Sequence, residues 1–185
     1  MSNDFQNLDS ALFLDRDGVI NRKIDGDYVR NLSQLELLPG AIDAIVRLGK
    51  RFRYVIVVTN QQGIGKGLMS EADVAEIHDY IVRQVQTAGG RIDRIYCCPS
   101  LEAANDPNRK PGIGMGLQAK RDFPDIDFSR SLMIGDNASD MLFAEKLGIP
   151  RIFIGDGNTV PPISPISPIP QFPQNIYKSL SDVLF

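Results

Sequence analysis

Residues 11 to 21 read ALFLDRDGVIN. Four apolar residues of strand type, Ala11 to Leu14, run into two carboxylates two positions apart, Asp15 and Asp17, and then into Gly18, which frees the turn that follows. Side chains two apart on extended backbone point the same way, so this strand end presents two hard oxygen donors, half of a magnesium site. The pattern of an apolar run bounded by Gly, Pro, Asn, Asp or Ser recurs at Tyr54 to Val58, Ile92 to Cys97, Ser131 to Ile134 and Arg151 to Ile154. Between these runs lie helical spacings: Ile42, Ile45, Val46 and Leu48 within Ala41 to Arg51, and Val74, Ile77, Ile81 and Val85 within Glu71 to Thr87. Two more helices are expected at about Gly114 to Asp122 and Ala138 to Leu147, the second stopped by Gly148 and Pro150. Strands alternating with helices specify an α/β fold with right-handed crossovers, and nearly continuous apolar strands specify a parallel five-stranded sheet covered on both faces.

Ligands of such sheets bind beyond the carboxyl ends of the strands. Polar clusters follow three of the runs directly: DRDG, TNQQG and GDNASD. Asp136 can therefore bring a third carboxylate to the cation of Asp15 and Asp17. Asp136 and Asp140 can also be read as helix N-terminal acids, an explanation that suits Asp140 better than Asp136. Thr59 and Asn60 offer a hydroxyl and an amide to a phosphate oxygen, and Gly63, Gly65 and Gly67 let backbone N–H groups approach it, although the Walker spacing is missing. Lys110, in NRKPG, can neutralise charge on a transferring phosphoryl group. His78 reads as a surface or helix-packing histidine and not as a ligand.

With 185 residues, 43% of them hydrophobic, the chain suits one domain of ordinary size. Lys and Arg number 20 against 23 Asp and Glu, a net charge of -3 with no basic run, so neither a nucleic acid nor a membrane partner is expected. No apolar stretch approaches the ~20 residues of a membrane helix, and the polar start lacks a signal-peptide core, which points to the cytoplasm. The two cysteines, Cys97 and Cys98, are adjacent and suggest no disulfide framework. Residues 161–173 hold six of the twelve prolines and read as an extended spacer between a 1–160 core and a terminal helix over 174–185, whose Ile176, Leu180, Val183 and Leu184 dock on the sheet. A monomer is expected.

LFLDRDGVIN, VVTNQQGIG, RKPG and IGDNASDM, spanning Ala11 to Met141, resemble in order the four motifs of the haloacid dehalogenase (HAD) superfamily of phosphohydrolases. Within it, DRDGVIN, DYV at Asp27 to Val29, LLPG at Leu37 to Gly40, TNQQGIGKG and NRKPGIGM look most like the D-glycero-D-manno-heptose 1,7-bisphosphate phosphatases and the related histidinol-phosphate phosphatases. The resemblance implies a three-layer Rossmann-like sheet of order 3-2-1-4-5 and hydrolysis of a small phosphorylated sugar with magnesium; no long insertion follows the first strand or separates the middle ones, so no large cap domain is expected. It implies Asp15 as nucleophile, Asp17 as acid/base, and Thr59 and Lys110 as phosphoryl-binding catalytic residues. Magnesium would be held by Asp15, the Asp17 carbonyl and Asp136, while Asn60, Arg109, Lys110 and Lys66 would contact substrate. Lys66 stands where the family usually has arginine, and Asn137 where it has lysine.

The family also commonly carries a zinc loop of Cys, His, Cys and Cys. Here only Cys98 keeps its position, with Ser100, Asp106 and Asn108 at the others, so no structural zinc is expected. Histidinol-phosphate phosphatase and polynucleotide 3′-phosphatase are alternative activities, the latter disfavoured by the charge. A receiver-like phosphoacceptor domain is the non-enzyme alternative. Receivers place the phosphoacceptor after the third strand, whereas the third run here ends in CCPS.

Overall fold

The computed structural model describes residues 9–155 and 176–183. Strands β1 (Asp9–Leu14), β2 (Phe52–Asn60), β3 (Arg94–Cys98), β4 (Leu132–Gly135), β5 (Arg151–Ile154) and β6 (Ile176–Tyr177) form one sheet in the order β3-β2-β1-β4-β5-β6. Every neighbouring pair is parallel. Helices α1 (Ala41–Gly49), α2 (Gln62–Gly65), α3 (Glu71–Thr87), α4 (Gly114–Asp122) and α5 (Ala138–Leu147) connect them.

The sheet has six strands where the sequence pointed to five. The sixth comes from the segment read as a terminal helix: Ile176 and Tyr177 pair with Phe153 and Ile154, and a 3-10 turn, Leu180–Asp182, follows. Unpaired backbone groups on the β5 edge gain partners this way, and a short isolated helix is marginal in water. Leu180 and Val183 are nevertheless buried against the sheet. The proline-rich spacer and Leu184 lie outside the described residues.

Period-two alternation sorts the core into two faces. Leu12 and Leu14 of β1 and Val55 and Val57 of β2 pack with α1 and α3 through Ile45, Leu48, Ile77, Ile81 and Val85. Ala11, Phe13, Ile56 and Val58 face the other way, onto Met115 and Ala119 of α4 and Phe143 and Ala144 of α5. Each such aliphatic side chain contributes about 1.5–3 kcal/mol by leaving water, so the interdigitated faces fix the strand register that aligns the carboxyl ends.

Helix starts are fixed locally. Ser70 and Asp73 form a capping box at α3, and Asn137 and Asp140 form one at α5, whose end falls at Gly148 with φ 69°. The glycine-rich stretch after β2 opens with a helical turn, α2, that was not foreseen. Residues 15–40 fold over the carboxyl edge of the sheet, tied by a bridge between Asn21 and Leu37 and by Leu38 N–H donating to the Ile20 carbonyl at 3.0 Å. No domain-sized cap is present among the described residues.

Candidate active site

β1, β2 and β4 end side by side, with the Asp15 N–H donating to the Ile134 carbonyl at 3.0 Å. The residues just past these ends line one cleft of about 650 Å³, with Asp15, Asp17, Thr59, Arg109, Lys110 and Asp136 among its walls. The dispersed motifs of the sequence therefore meet at one place.

Lys110 organises the floor. Its side chain is buried, and Nζ donates to Asp15 Oδ1 at 2.8 Å and to the Val58 carbonyl at 2.6 Å, and pairs with Asp140 Oδ1 at 2.5 Å. Burial alone would lower the ammonium's pKa, but Asp140 and Asp15 outweigh it and hold Lys110 charged, well above the ordinary lysine value. Asn60 fixes this lysine from behind, its Nδ2 donating to the Lys110 carbonyl at 2.9 Å and its Oδ1 accepting from the Lys110 N–H at 3.0 Å. The Asn60 amide, read from sequence as a substrate contact, lines the cleft and is engaged with the backbone of Lys110.

Asp15 and Asp136 are both pushed up to about 6, mainly by burial, with Asp140 adding for Asp15 and Asp15 adding for Asp136. Asp140 is also raised by burial. Oxygens of these three carboxylates lie within 4.8 Å of one another. Asp136 Oδ1 is buried without a hydrogen-bond partner, and a Cβ on Gly18, whose φ is +86°, would stand 2.2 Å from Asp136 Oδ2. A hard-oxygen cluster with one buried orphan atom, held close by a residue that only glycine satisfies, fits a magnesium ion.

Asp17 differs from its expected state. The Arg16 guanidinium donates from one nitrogen to both carboxylate oxygens at 2.9 Å, Asn21 Nδ2 reaches Oδ1 at 2.8 Å, and Gln61 Nε2 reaches Oδ2 at 2.7 Å. Burial raises the Asp17 pKa, but the Arg16 charge and these donors outweigh it and hold the carboxyl below its ordinary value. A general acid working near neutral pH ordinarily has a raised pKa, and the three donors explain why this carboxyl does not. Gln61 Nε2 also donates to Thr59 Oγ1 at 2.8 Å, linking the two side chains. Behind Arg16, NH1 lies 3.3 Å from His78 Nε2, so His78 takes the packing place and not the surface one of the two its sequence position left open.

Other readings shift as well. Lys66 is not among the cleft-lining residues; its Nζ donates to the Tyr28 hydroxyl at 3.0 Å and sits 5.3 Å from that ring's centre. Lys23, which the sequence reading passed over, lines the cleft and donates to Asp136 Oδ2 at 3.2 Å. Arg16, Gln61 and Asp140 were also missed as site residues. Asp140 carried a signal, since it follows Asp136 by four residues at a helix start and can turn toward the same strand end.

The comparisons with known proteins agree with this geometry. A HAD-hydrolase-like family model matches residues 107–183. The D-glycero-alpha-D-manno-heptose-1,7-bisphosphate 7-phosphatase of Mycobacterium bovis is 46% identical over 137 residues, which cover 74% of this chain and 72% of the relative. The D-glycero-beta-D-manno-heptose-1,7-bisphosphate 7-phosphatase of Rhodopseudomonas palustris is 41% identical over 147 residues, covering 76% and 80%. Among solved structures, D,D-heptose 1,7-bisphosphate phosphatase from B. bronchiseptica, complexed with magnesium and phosphate, superposes with a TM-score of 0.78 at 28% identity, covering 93% of this chain and 94% of that one. The chain belongs to the HAD-like hydrolases, in the family of the heptose 1,7-bisphosphate 7-phosphatases.

Proposed function

We propose that this protein is a magnesium-dependent phosphomonoesterase that removes the 7-phosphate from a D-glycero-D-manno-heptose 1,7-bisphosphate through an aspartyl-phosphate on Asp15. The observation that carries the reading is the convergence of Asp15, Lys110, Thr59 and Asp136 on one cleft at the ends of three strands. An Asp15 carboxylate oxygen attacks phosphorus and the bond to the sugar oxygen breaks, while Asp17, which takes up a proton once substrate displaces one of its donors, gives that proton to the leaving oxygen. Asp17 then takes a proton from water, which attacks the aspartyl-phosphate, releases phosphate and restores Asp15. Lys110 and Thr59 hold phosphoryl oxygens. Asp17 reaches the leaving oxygen by exchanging one of its present donors for substrate. Asp15, Asp136 and the Asp17 carbonyl would hold magnesium, which would neutralise charge at the phosphoryl group.

The cleft also lines itself with Asp27, Glu102 and Asp106, a poor wall for a polynucleotide backbone, so a small sugar phosphate is the substrate class and the cytoplasm the expected compartment. Side by side with magnesium present, kcat/KM for a heptose 1,7-bisphosphate is expected to exceed that for histidinol phosphate. A preference for histidinol phosphate would overturn the substrate and spare the reaction class.

No structural zinc belongs to this reading. Asp106 takes hydrogen bonds from Ser100 Oγ at 2.5 Å and from the Asn108 N–H at 2.8 Å, with the Cys98 thiol at 3.8 Å, while Gln118 Nε2 donates to Asn108 Oδ1 at 2.6 Å. The four family ligand positions are thus tied by a carboxylate hydrogen-bond cluster, which favours the ionised Asp106 and offers one sulfur where a structural zinc site takes four N or S ligands. Elemental analysis of protein purified without chelator is expected to find far less than one zinc per chain. A stoichiometric zinc that Cys98→Ser removes would contradict this.

A further inference from the structure

A sugar bisphosphate brings a second phosphate of roughly −1.5 to −2 charge into this cleft at neutral pH, and it needs a cationic partner there. Among the cleft-lining residues only Lys23, Arg109 and Lys110 are cationic. Lys110 is committed to the floor by Asp15, Asp140 and the Val58 carbonyl. Arg109 NH1 donates to the Ser100 carbonyl at 3.3 Å, and Lys66 is turned to Tyr28. Lys23 is different: its side chain is 46% exposed, and its one polar contact among the described residues is Asp136 Oδ2 at 3.2 Å.

That contact places the ammonium against a carboxylate that suits a divalent cation. A magnesium ion on the orphan Oδ1 would set two further positive charges beside the ammonium on Oδ2 of the same carboxylate, and their repulsion would loosen the Lys23 contact. The backbone beneath it stays put. Asn21 is fully buried and bridged to Leu37, and the Arg22 N–H donates to the Glu36 carbonyl at 2.7 Å, so the freed four-carbon stem swings from a fixed rim into the cleft. We infer that Lys23 is a specificity-determining residue for the substrate's second phosphate, parked on Asp136 until magnesium loosens it. The inference rests on the phosphatase reading above and adds to it a residue that the four motifs do not include.

Two measurements on Lys23→Met test it. With magnesium saturating, the wild-type preference in kcat/KM for heptose 1,7-bisphosphate over heptose 7-phosphate is expected to fall about tenfold or more, the size of a lost charge-assisted hydrogen bond, and Lys23→Arg is expected to restore much of it. A preference that Lys23→Met leaves intact would overturn the assignment while the phosphatase reading stands; a wild-type enzyme that cleaves neither sugar phosphate would overturn both. Calorimetric titration of magnesium into the metal-free proteins is expected to show tighter binding to Lys23→Met than to wild type. Equal or weaker binding would overturn the parked state.

Discussion

Replacing Asp15 with asparagine is expected to lower turnover by about 10⁴-fold or more, because the amide cannot attack phosphorus and no other nucleophile in the cleft stands in its place. The fold survives the change. Burial and Asp140 hold the Asp15 carboxyl at about 6 against an ordinary value of 3.8, so ionising it costs the metal-free native state stability as the pH rises through that window. An amide does not titrate. Metal-free Asp15→Asn at pH 8 is therefore expected to unfold in urea at the same or a higher denaturant concentration than wild type. Retention of more than a tenth of wild-type phosphate release would remove Asp15 as nucleophile.

Asp17→Asn is expected to lose activity as well, but for a protein that is less stable. Arg16 is 1% exposed, and its ionic partner is Asp17, with the neutral His78 ring its other side-chain neighbour. His78 itself is pushed down to about 4, by burial first and by Arg16 second, and cannot supply a negative charge. Removing the carboxylate leaves a buried guanidinium uncompensated, at a cost of about 3 kcal/mol. From sequence alone the two substitutions look equivalent, each deleting a charge and little volume. Their different surroundings separate them.

The meeting of Asp15, Thr59 and Asp136 was legible because DRDG, TNQQG and GDNASD each follow an apolar run and a parallel sheet puts all carboxyl ends on one edge, whereas the sheet order and the joining of Lys110 to them were implied by the family resemblance. What stayed hidden depended on where charged side chains point. Arg16 sits between two functional carboxylates with nothing in its spacing to say that it turns inward. Lys66 follows TNQQG closely in sequence, yet α2 turns that stretch so that the lysine faces Tyr28. Lys23 lies in an irregular segment without periodicity, and only the fold of residues 15–40 over the sheet edge brings it to Asp136. The β6 strand was missed for a related reason: its two residues are too few to carry an alternation, and the unpaired edge of β5 decides their conformation.

Lys110→Met is expected to disable the enzyme and to show how the buried charges are balanced. Removing a preorganised cation from the phosphoryl site costs about 10²–10³ in kcat, by analogy with deleting one oxyanion-hole donor. The stability loss has its own signature. Lys110 is the ammonium paired with both Asp15 and Asp140, and Asp140 is fully buried. Without it these carboxyls can stay inside only by holding protons, so their folded-state pKa values rise further above the unfolded ones. The variant's native state then binds protons that its unfolded chain does not, and its stability improves relative to wild type as the pH falls. Urea unfolding without metal is expected to show a deficit of about 3–5 kcal/mol at pH 8 that shrinks at pH 5.5. A deficit equal at the two pH values would mean that lost packing of the lysine stem, and not the unpaired carboxylates, sets the cost.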